Sequence, residues 1–249
     1  MEGEPAIYLS DPVWRDIAIS LWDTDGDGYI SEDESQIYRV VNFADYSNTG
    51  LIKVLDFRNL PTEGISNTNY LSGIKEIYWG IIMWGTALPY EGFKENLSLE
   101  LFDIGTYIIN TERMTFQNCT SLKKVVLNNI LERIDGGAFS HCSSLVEISD
   151  IPDSCTRIGG DWQGGCFEHC ISLKQITIGT GMQRIDEYCF YGCSSMESFY
   201  IKATVPPTLG GNVFGENPCK IYVPRSSVDA YKSAINWNQY AARIYGYDF

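Results

Sequence analysis

The chain has 249 residues, 44% hydrophobic and 20% charged: enough for one array plus a small appended unit, and too apolar for wholesale disorder. Its 32 acidic and 18 basic residues give a net charge of −14, which repels phosphate backbones and anionic membranes and suits a cation. No apolar run approaches the roughly 18 residues of a membrane span, and Met1-Glu-Gly-Glu-Pro5 has neither the basic region nor the apolar core of a secretory signal.

In chain order, residues 6–9 read as a short strand. Asp11-Pro12 then opens a helix, with Asp11 as N-cap and Pro12 in the first turn. Val13, Trp14, Ile17, Leu21 and Trp22 fall on one helical face. The helix runs into Asp23-Thr-Asp25-Gly-Asp27-Gly28-Tyr29-Ile30-Ser31-Glu32-Asp33-Glu34, which has the spacing of an EF-hand calcium loop. A hard cation takes several oxygens at fixed separations. Asp23, Asp25 and Asp27 supply carboxylates, Tyr29 its backbone carbonyl, Ser31 a hydroxyl or water bridge, and Glu34 a bidentate carboxylate. Gly28 permits the sharp bend. One Ca2+ site is expected, because carboxylates so crowded repel one another without a cation. A second helix is expected from Asp33 to about Val40. Residues 45–56 have the spacing of a second loop that lacks the carboxylates at its third and fifth positions. They read equally as a metal-free partner, with Ile52 bridging to Ile30, or as an unrelated loop.

Residues 51–80 read as a worn first repeat or N-terminal cover, and 78–92 as an insert carrying Trp79, Trp84 and Tyr90. From Phe93 a template F-x-x-C-x-x-L-x-x-Φ-x-Φ recurs, Φ being apolar. Phe139…Cys142…Leu145…Ile148 is one copy; others start at Phe93, Phe116, Phe167 and Phe190. The intervals are 23, 23, 28 and 23 residues, and the long one holds Gly159-Gly-Asp-Trp162-Gln-Gly-Gly165. A fixed period in the twenties marks a solenoid whose units bury their apolar faces against each other. The segment L-x-x-Φ-x-Φ is a leucine-rich-repeat strand signature. The fold class expected is therefore α/β: a leucine-rich-repeat solenoid of five or six coils at 61–209, an EF-hand-like α-helical module at 1–60, and a C-terminal cap at 210–249. In that cap Ser226 or Ser227 starts a final helix.

Six of the eight cysteines fall in repeat columns, Cys119, Cys142, Cys170 and Cys193 in one and Cys166 and Cys189 in another, as buried free thiols rather than disulfides. His141 and His169 share a column beside two of these cysteines, but neighbours on a repeat point apart, which argues against a Cys-His nucleophile or zinc. There is no phosphate loop and no hydrolase or metalloprotease signature.

The repeat resembles the BspA-type leucine-rich repeats of bacterial surface proteins. The ending Ile221-Tyr-Val-Pro224…Val228-Asp-Ala-Tyr-Lys…Trp237 and the opening around Trp22-Asp-Thr-Asp-Gly-Asp-Gly are similar to Bacteroidetes members. The resemblance implies a secreted or lipid-anchored protein at the cell surface, its signal removed, some members being adhesins; it does not name a ligand. Asp150, where the strand expects an apolar residue, departs from the pattern. The strand register offers two outward columns: Leu101, Lys124, Glu147, Gln175, Ser198, and Asp103, Val126, Ser149, Thr177, Tyr200. Lys124, Glu147, Gln175, Thr177 and Tyr200, with Trp162 from the insert, are the candidate contacts for a protein or glycan. Nucleic acid is not an expected partner. The reading is a non-enzymatic extracellular recognition or adhesion module with one structural calcium. The alternative is a dockerin-like or glycan-capturing part of an extracellular polysaccharide-processing assembly.

Overall fold

The computed structural model describes residues 9–31, 33–34, 39–42, 54–56, 62–66, 73–79, 87–160 and 164–249, with 39–42 and 62–66 described by their backbone alone. The elements are α1 (Pro12–Trp22), β1 (Arg39–Asn42), β2 (Val54–Asp56), β3 (Thr62–Ser66), β4 (Glu76–Tyr78), β5 (Ala87–Leu88), β6 (Leu101–Asp103), β7 (Asn110–Thr111), β8 (Lys124–Val126) and β9 (Arg133–Ile134). They continue with β10 (Glu147–Ile148), β11 (Arg157–Ile158), β12 (Gln175–Ile178), β13 (Arg184–Ile185), β14 (Ser198–Ile201), β15 (Thr208–Leu209), β16 (Lys220–Pro224), α2 (Val228–Ser233) and β17 (Ile244–Tyr247).

The strands wind into a parallel-sheet solenoid of about seven turns. Even-numbered strands make one side: β2, β4, β6, β8 and β10 pair in order, and β12, β14, β16 and then β17 continue it. Two-residue odd-numbered strands, β5 to β15, make the return side. Five or six coils were expected. The larger number arises because β2 and β4, ahead of the regular repeats, pair in register with β6: Val54 with Glu76, Glu76 with Leu101. The α/β expectation also needs correcting, since the only α-helices among the described residues are α1 and α2. Each return segment is an Arg-Ile or similar dipeptide running straight into a tight turn, which leaves no room for a helix.

Alternation explains the strands. In Lys124-Val125-Val126 the central residue is buried and its neighbours half-exposed; in Arg133-Ile134, Arg157-Ile158 and Arg184-Ile185 the Ile points inward. At the third corner of each coil the repeat phenylalanines stack, Phe93 on Phe116, Phe139, Phe167, Phe190 and Phe214, with centroids 5.2–5.8 Å apart and planes within 9°. Each such pair contributes about 0.5–1.5 kcal/mol beyond area burial.

Beside the rings runs the cysteine column. Cys119, Cys142, Cys170 and Cys193 donate their thiols to the carbonyls of Phe93, Phe116, Phe139 and Phe167, the Phe of the preceding coil in each case. All eight cysteines are buried and free. Asn96 and Asn217 occupy the same column at its two ends. Asn96 Oδ1 accepts from the backbone N–H groups of Ser98 and Leu99, while Asn217 Nδ2 donates to the Phe190 carbonyl.

The corner is tight enough to force left-handed backbone two residues after each Phe, at Glu95, Asn118, His141, His169, Gly192 and Glu216 (φ 51–70°). Only one of these six is glycine, so most coils carry a strained residue held by its neighbours. The N–H groups at these positions donate to the next coil, for example His141 to the Glu168 carbonyl at 2.7 Å and His169 to that of Tyr191 at 2.8 Å.

Asp150 is accommodated by one extra residue. It turns to solvent and pairs with Lys202 at 3.2 Å, while Ile151 takes the buried place and bridges to Ile178. The interval from Arg133 to Arg157 is thus 24 residues where that from Asn110 to Arg133 is 23. The remaining lengthening of the long repeat falls at 159–165, of which 161–163 lie outside the described residues.

At the N-terminal end the second helix expected to reach about Val40 does not do so: Arg39 and Val40 open β1, which pairs in parallel with β3. The β-branched pair Val40-Val41 favours that extended state. Of the strand expected at 6–9 only Leu9 is described, buried and outside any strand. Near the other end, Ser227 is the N-cap residue of α2 but its side chain makes no capping bond; a 3-10 turn at Arg225–Ser227 leads in instead.

Candidate functional site

The acidic loop hangs from a well-anchored helix. Asp11 Oδ1 accepts from the N–H groups of Val13 and Trp14, both at 3.0 Å, which caps α1. Its other oxygen accepts from Val54 N at 3.0 Å, and Trp14 Nε1 donates to the Asp56 carbonyl at 2.8 Å. One carboxylate and one indole thus tie the helix to β2, the first strand of the solenoid side. Trp14, Ile17, Ala18 and Trp22 bury the apolar face that the sequence pattern marks, and Ile30 from within the loop joins the same core.

Within the loop, carboxylate oxygens of Asp23, Asp25 and Asp27 converge within 4.8 Å of one another, the only group of three or more potential metal-ligating side chains among the described residues. Backbone N–H groups hold them there: Asp23 accepts from Gly26 at 2.6 Å and Gly28 at 2.9 Å, Asp25 from Asp27, and Asp27 from Tyr29. Gly26 (φ 78°) and Gly28 (φ 88°) make the bends, and nothing blocks the space beside either. Tyr29 exposes its ring, consistent with a residue used through its backbone. Glu34 lies outside the three-Asp group. One of its oxygens accepts from Thr24 N (2.5 Å) and Oγ1 (2.8 Å), the other from Ser31 N and Oγ, both at 2.9 Å. These four bonds, led by the Ser31 and Thr24 backbone donors, lower its pKa to about 2. The second loop proposed at 45–56 lies outside the described residues except for Val54–Asp56, which form β2.

On the sheet face, Leu101, Lys124 and Glu147 line up in register, as do Gln175 and Ser198, and Thr177 and Tyr200. Lys124 and Glu147 neutralise each other at 2.6 Å. The second outward column does not end at Tyr200. Tyr222 pairs with Tyr200 and Tyr245 with Tyr222, and the Tyr200 and Tyr222 rings stack at 4.8 Å. Tyr247 stands edge-on to both and touches Phe249 at 5.0 Å. The C-terminal end of this face therefore carries an aromatic ladder. Tyr222 has the same parity as Tyr200 in the x-Φ-x-Φ pattern, a signal missed because 210–249 was read only as a cover.

Of the insert aromatics, Trp162 and Trp84 lie outside the described residues. Trp79, read as part of an insert, is buried, its ring edge-on to Phe93 at 5.5 Å, where it closes the end of the phenylalanine stack. Tyr90 is exposed, with the Arg113 guanidinium 6.0 Å from its centroid.

Six copies of the model for a BspA type leucine rich repeat region match residues 86–221, more than half of the chain. The chain belongs to the BspA-type leucine-rich repeat family. No curated protein matches it. Among solved structures it is similar to a Treponema pallidum leucine-rich repeat protein (20% identity, 59% of this chain and 78% of that one, TM-score 0.44). It is similar also to a leucine-rich repeat protein of Bacteroides ovatus (17%, 84% and 58%, TM-score 0.44) and to the pneumococcal vaccine antigen PcpA (18%, 79% and 56%, TM-score 0.40).

In this BspA-type array the thiols beside the two histidines are engaged in the core, Cys142 with the Phe116 carbonyl and Cys170 with that of Phe139. Cys142 and Cys170 are buried, and loss of solvation pushes both thiols well above their ordinary range. The His141 and His169 rings stack outside the corner at 4.9 Å. Cys119 and Cys193 are raised to about 12 by the same burial. A thiol held that high supplies no thiolate at neutral pH. No helix among the described residues is long and apolar enough to cross a membrane.

Proposed function

We propose that this BspA-type protein is a non-enzymatic recognition or adhesion module, extracellular or on the cell surface, with one structural calcium ion at its N-terminal end. The observation that carries the reading is the contrast between inner and outer columns. The inner positions repeat Phe, Cys and Ile coil after coil, whereas the outward ones change at each step, from Lys124 to Glu147 and from Gln175 to Ser198 to Lys220. A surface of differing side chains on a uniform frame suits recognition of a macromolecule. The raised thiols favour binding over nucleophilic catalysis. The test is an array of immobilised matrix proteins, probed with the intact chain and with a Lys124→Ala/Gln175→Ala/Thr177→Ala variant. Capture that weakens in the variant supports the reading; capture unaffected by it, or none, overturns the assignment of this face.

The residues present fit calcium. Asp23, Asp25 and Asp27 converge, the Tyr29 carbonyl and Ser31 follow at the expected spacing, and Glu34 would supply the last carboxylate on exchanging bonds to Thr24 and Ser31 for the ion. Calcium would neutralise the loop and thereby fix the C-terminal end of α1, opposite the end that Asp11 and Trp14 tie to β2. A ligand at one hundred times its Kd stabilises by about 2.7 kcal/mol. The expected result is a melt that rises with calcium in the intact protein and not in Asp25→Ala; equal melts with calcium and with chelator would remove the ion from the proposal.

A further inference from the structure

The loops that follow the even-numbered strands enclose a furrow along one rim of the sheet. It has two lobes, of about 420 and 690 Å³, and Lys202 lines both. The smaller is walled by Asn128, Asp150 and Asp153, the larger by Thr180, Thr204, Ser226, Tyr247 and Phe249. Asp150 is the residue of the extra-residue step, and its pairing with Lys202 spans the junction of the lobes. The one departure from strand regularity in the coils therefore lies at the furrow.

The lining selects for ligand chemistry. Its cations are matched in place: Lys202 with Asp150, and Arg225 with Asp248 through two parallel bonds, Nε to Oδ1 at 3.0 Å and Nη2 to Oδ2 at 2.7 Å, while Asp153 accepts from the Thr180 N–H. What remains for a ligand is hydroxyl groups, from Thr204 and Ser226, and aromatic surface, from Tyr247 (42% exposed) and Phe249 (51% exposed). A polyanion would meet the field of a chain of net charge −14 and no unmatched cation in the furrow. A neutral polyol meets hydroxyls for its hydrogen bonds and ring faces for its C–H groups. The coils also repeat every 4.7–4.9 Å or so across the strands, close to the advance of one sugar ring in an extended glycan. The larger lobe lies within the roughly 300–1,000 Å³ of small-ligand sites.

We propose that this furrow binds a neutral oligosaccharide lying across the coils, with Tyr247 and Phe249 as the stacking wall. This rests on the reading of the chain as a recognition module and names a ligand class and a place for it. The intact protein is run through native gels containing β-1,4-glucan, xylan, mannan or starch, and any retarding polysaccharide is followed by calorimetry with its hexaose. Retardation by at least one is expected, weakened tenfold or more by Tyr247→Ala and by Phe249→Ala, and unchanged by Tyr90→Ala. Both platform residues are exposed, so the variants should keep the parent melting curve. Free migration in all four gels, or retardation that survives the Tyr247→Ala/Phe249→Ala double variant, overturns the proposal. The same double variant goes onto the matrix-protein array. If it loses a protein that the intact chain captures while the gels stay silent, the furrow takes a protein: the glycan assignment fails and the recognition reading stands. Silence on both fails both.

Discussion

From Phe93 to Phe214 each coil makes the same contacts as the one before it, a ring on a ring and a backbone N–H to the next coil, with a thiol bonded to a carbonyl wherever the column holds cysteine. At the N-terminal end, among the described residues, α1 is tied to β2 by two unlike contacts: one carboxylate to Val54, one indole to Asp56. A contact repeated along an array is supported from both sides, so damage in mid-array is felt by two neighbours. A contact made once fails locally. The two regions should therefore respond to substitution in different places as well as by different amounts.

The largest effect is expected for Phe139→Ala, which removes a fully buried ring stacked between Phe116 and Phe167. The loss should be about 3–5 kcal/mol in denaturant titration. A loss below about 1 kcal/mol would mean that the stack is not what couples the coils. Asp11→Ala removes both the α1 cap and the acceptor for Val54, for a loss of about 2 kcal/mol. Hydrogen exchange should quicken at Val54 and in the first turn of α1 while the coils from β6 onward keep their protection; equal loss throughout would erase the distinction between the regions. Cys142→Ala removes one of two donors to the Phe116 carbonyl, which keeps the Cys119 N–H, and leaves a small void, for about 1 kcal/mol by the same titration.

The finest probe is pH. Folded Glu34 has its pKa lowered from 4.5 to about 2 by its bonds to Ser31 and Thr24. A depressed folded pKa gives stability that is fully present above the unfolded value and drains away as pH falls through the folded one. Melts of the parent and of Glu34→Gln should therefore differ most above about pH 4.5 and draw together toward pH 2. A constant offset across that range would mean that Glu34 is not held by this network.

The interior was legible in the sequence because its columns are made of few residue types at a fixed interval; Phe139, Cys142 and Leu145 announce their neighbours 23 residues upstream. The strand–return geometry was less so. Two-residue strands such as Arg157-Ile158 are too short for a periodic signal, and a turn two residues after Phe that accepts Glu, Asn and His in left-handed backbone has no glycine signature to betray it. Asp150 was visible as a misfit, but a misfit does not say whether the strand breaks or steps aside. Trp79 gave no core signal because it lies outside the repeat register, although any stack of rings needs something to cover its first member. The Asp triplet of the acidic loop was fully legible, since the three carboxylates sit where local spacing puts them. The bonding of Glu34 to Thr24 and Ser31 was not, since it depends on how the loop closes. The tyrosines of β16 and β17 were hidden by a boundary drawn at residue 210.

The two asparagines at the ends of the cysteine column have a consequence for how such a chain can grow. A thiol in this column reaches back one coil, so a thiol coil can follow any other. Both asparagines accept within their own turn, Asn96 from Ser98 and Leu99 and Asn217 from Cys219, and Asn217 also donates back to Phe190. They bracket the thiol coils, so that 23-residue units between them can be copied or deleted without rewriting either end. The length of the array, and with it the span of whatever lies across it, is then set by duplication rather than by point mutation. The acidic loop and the tyrosine rim would move apart or together by one strand spacing for each coil gained or lost.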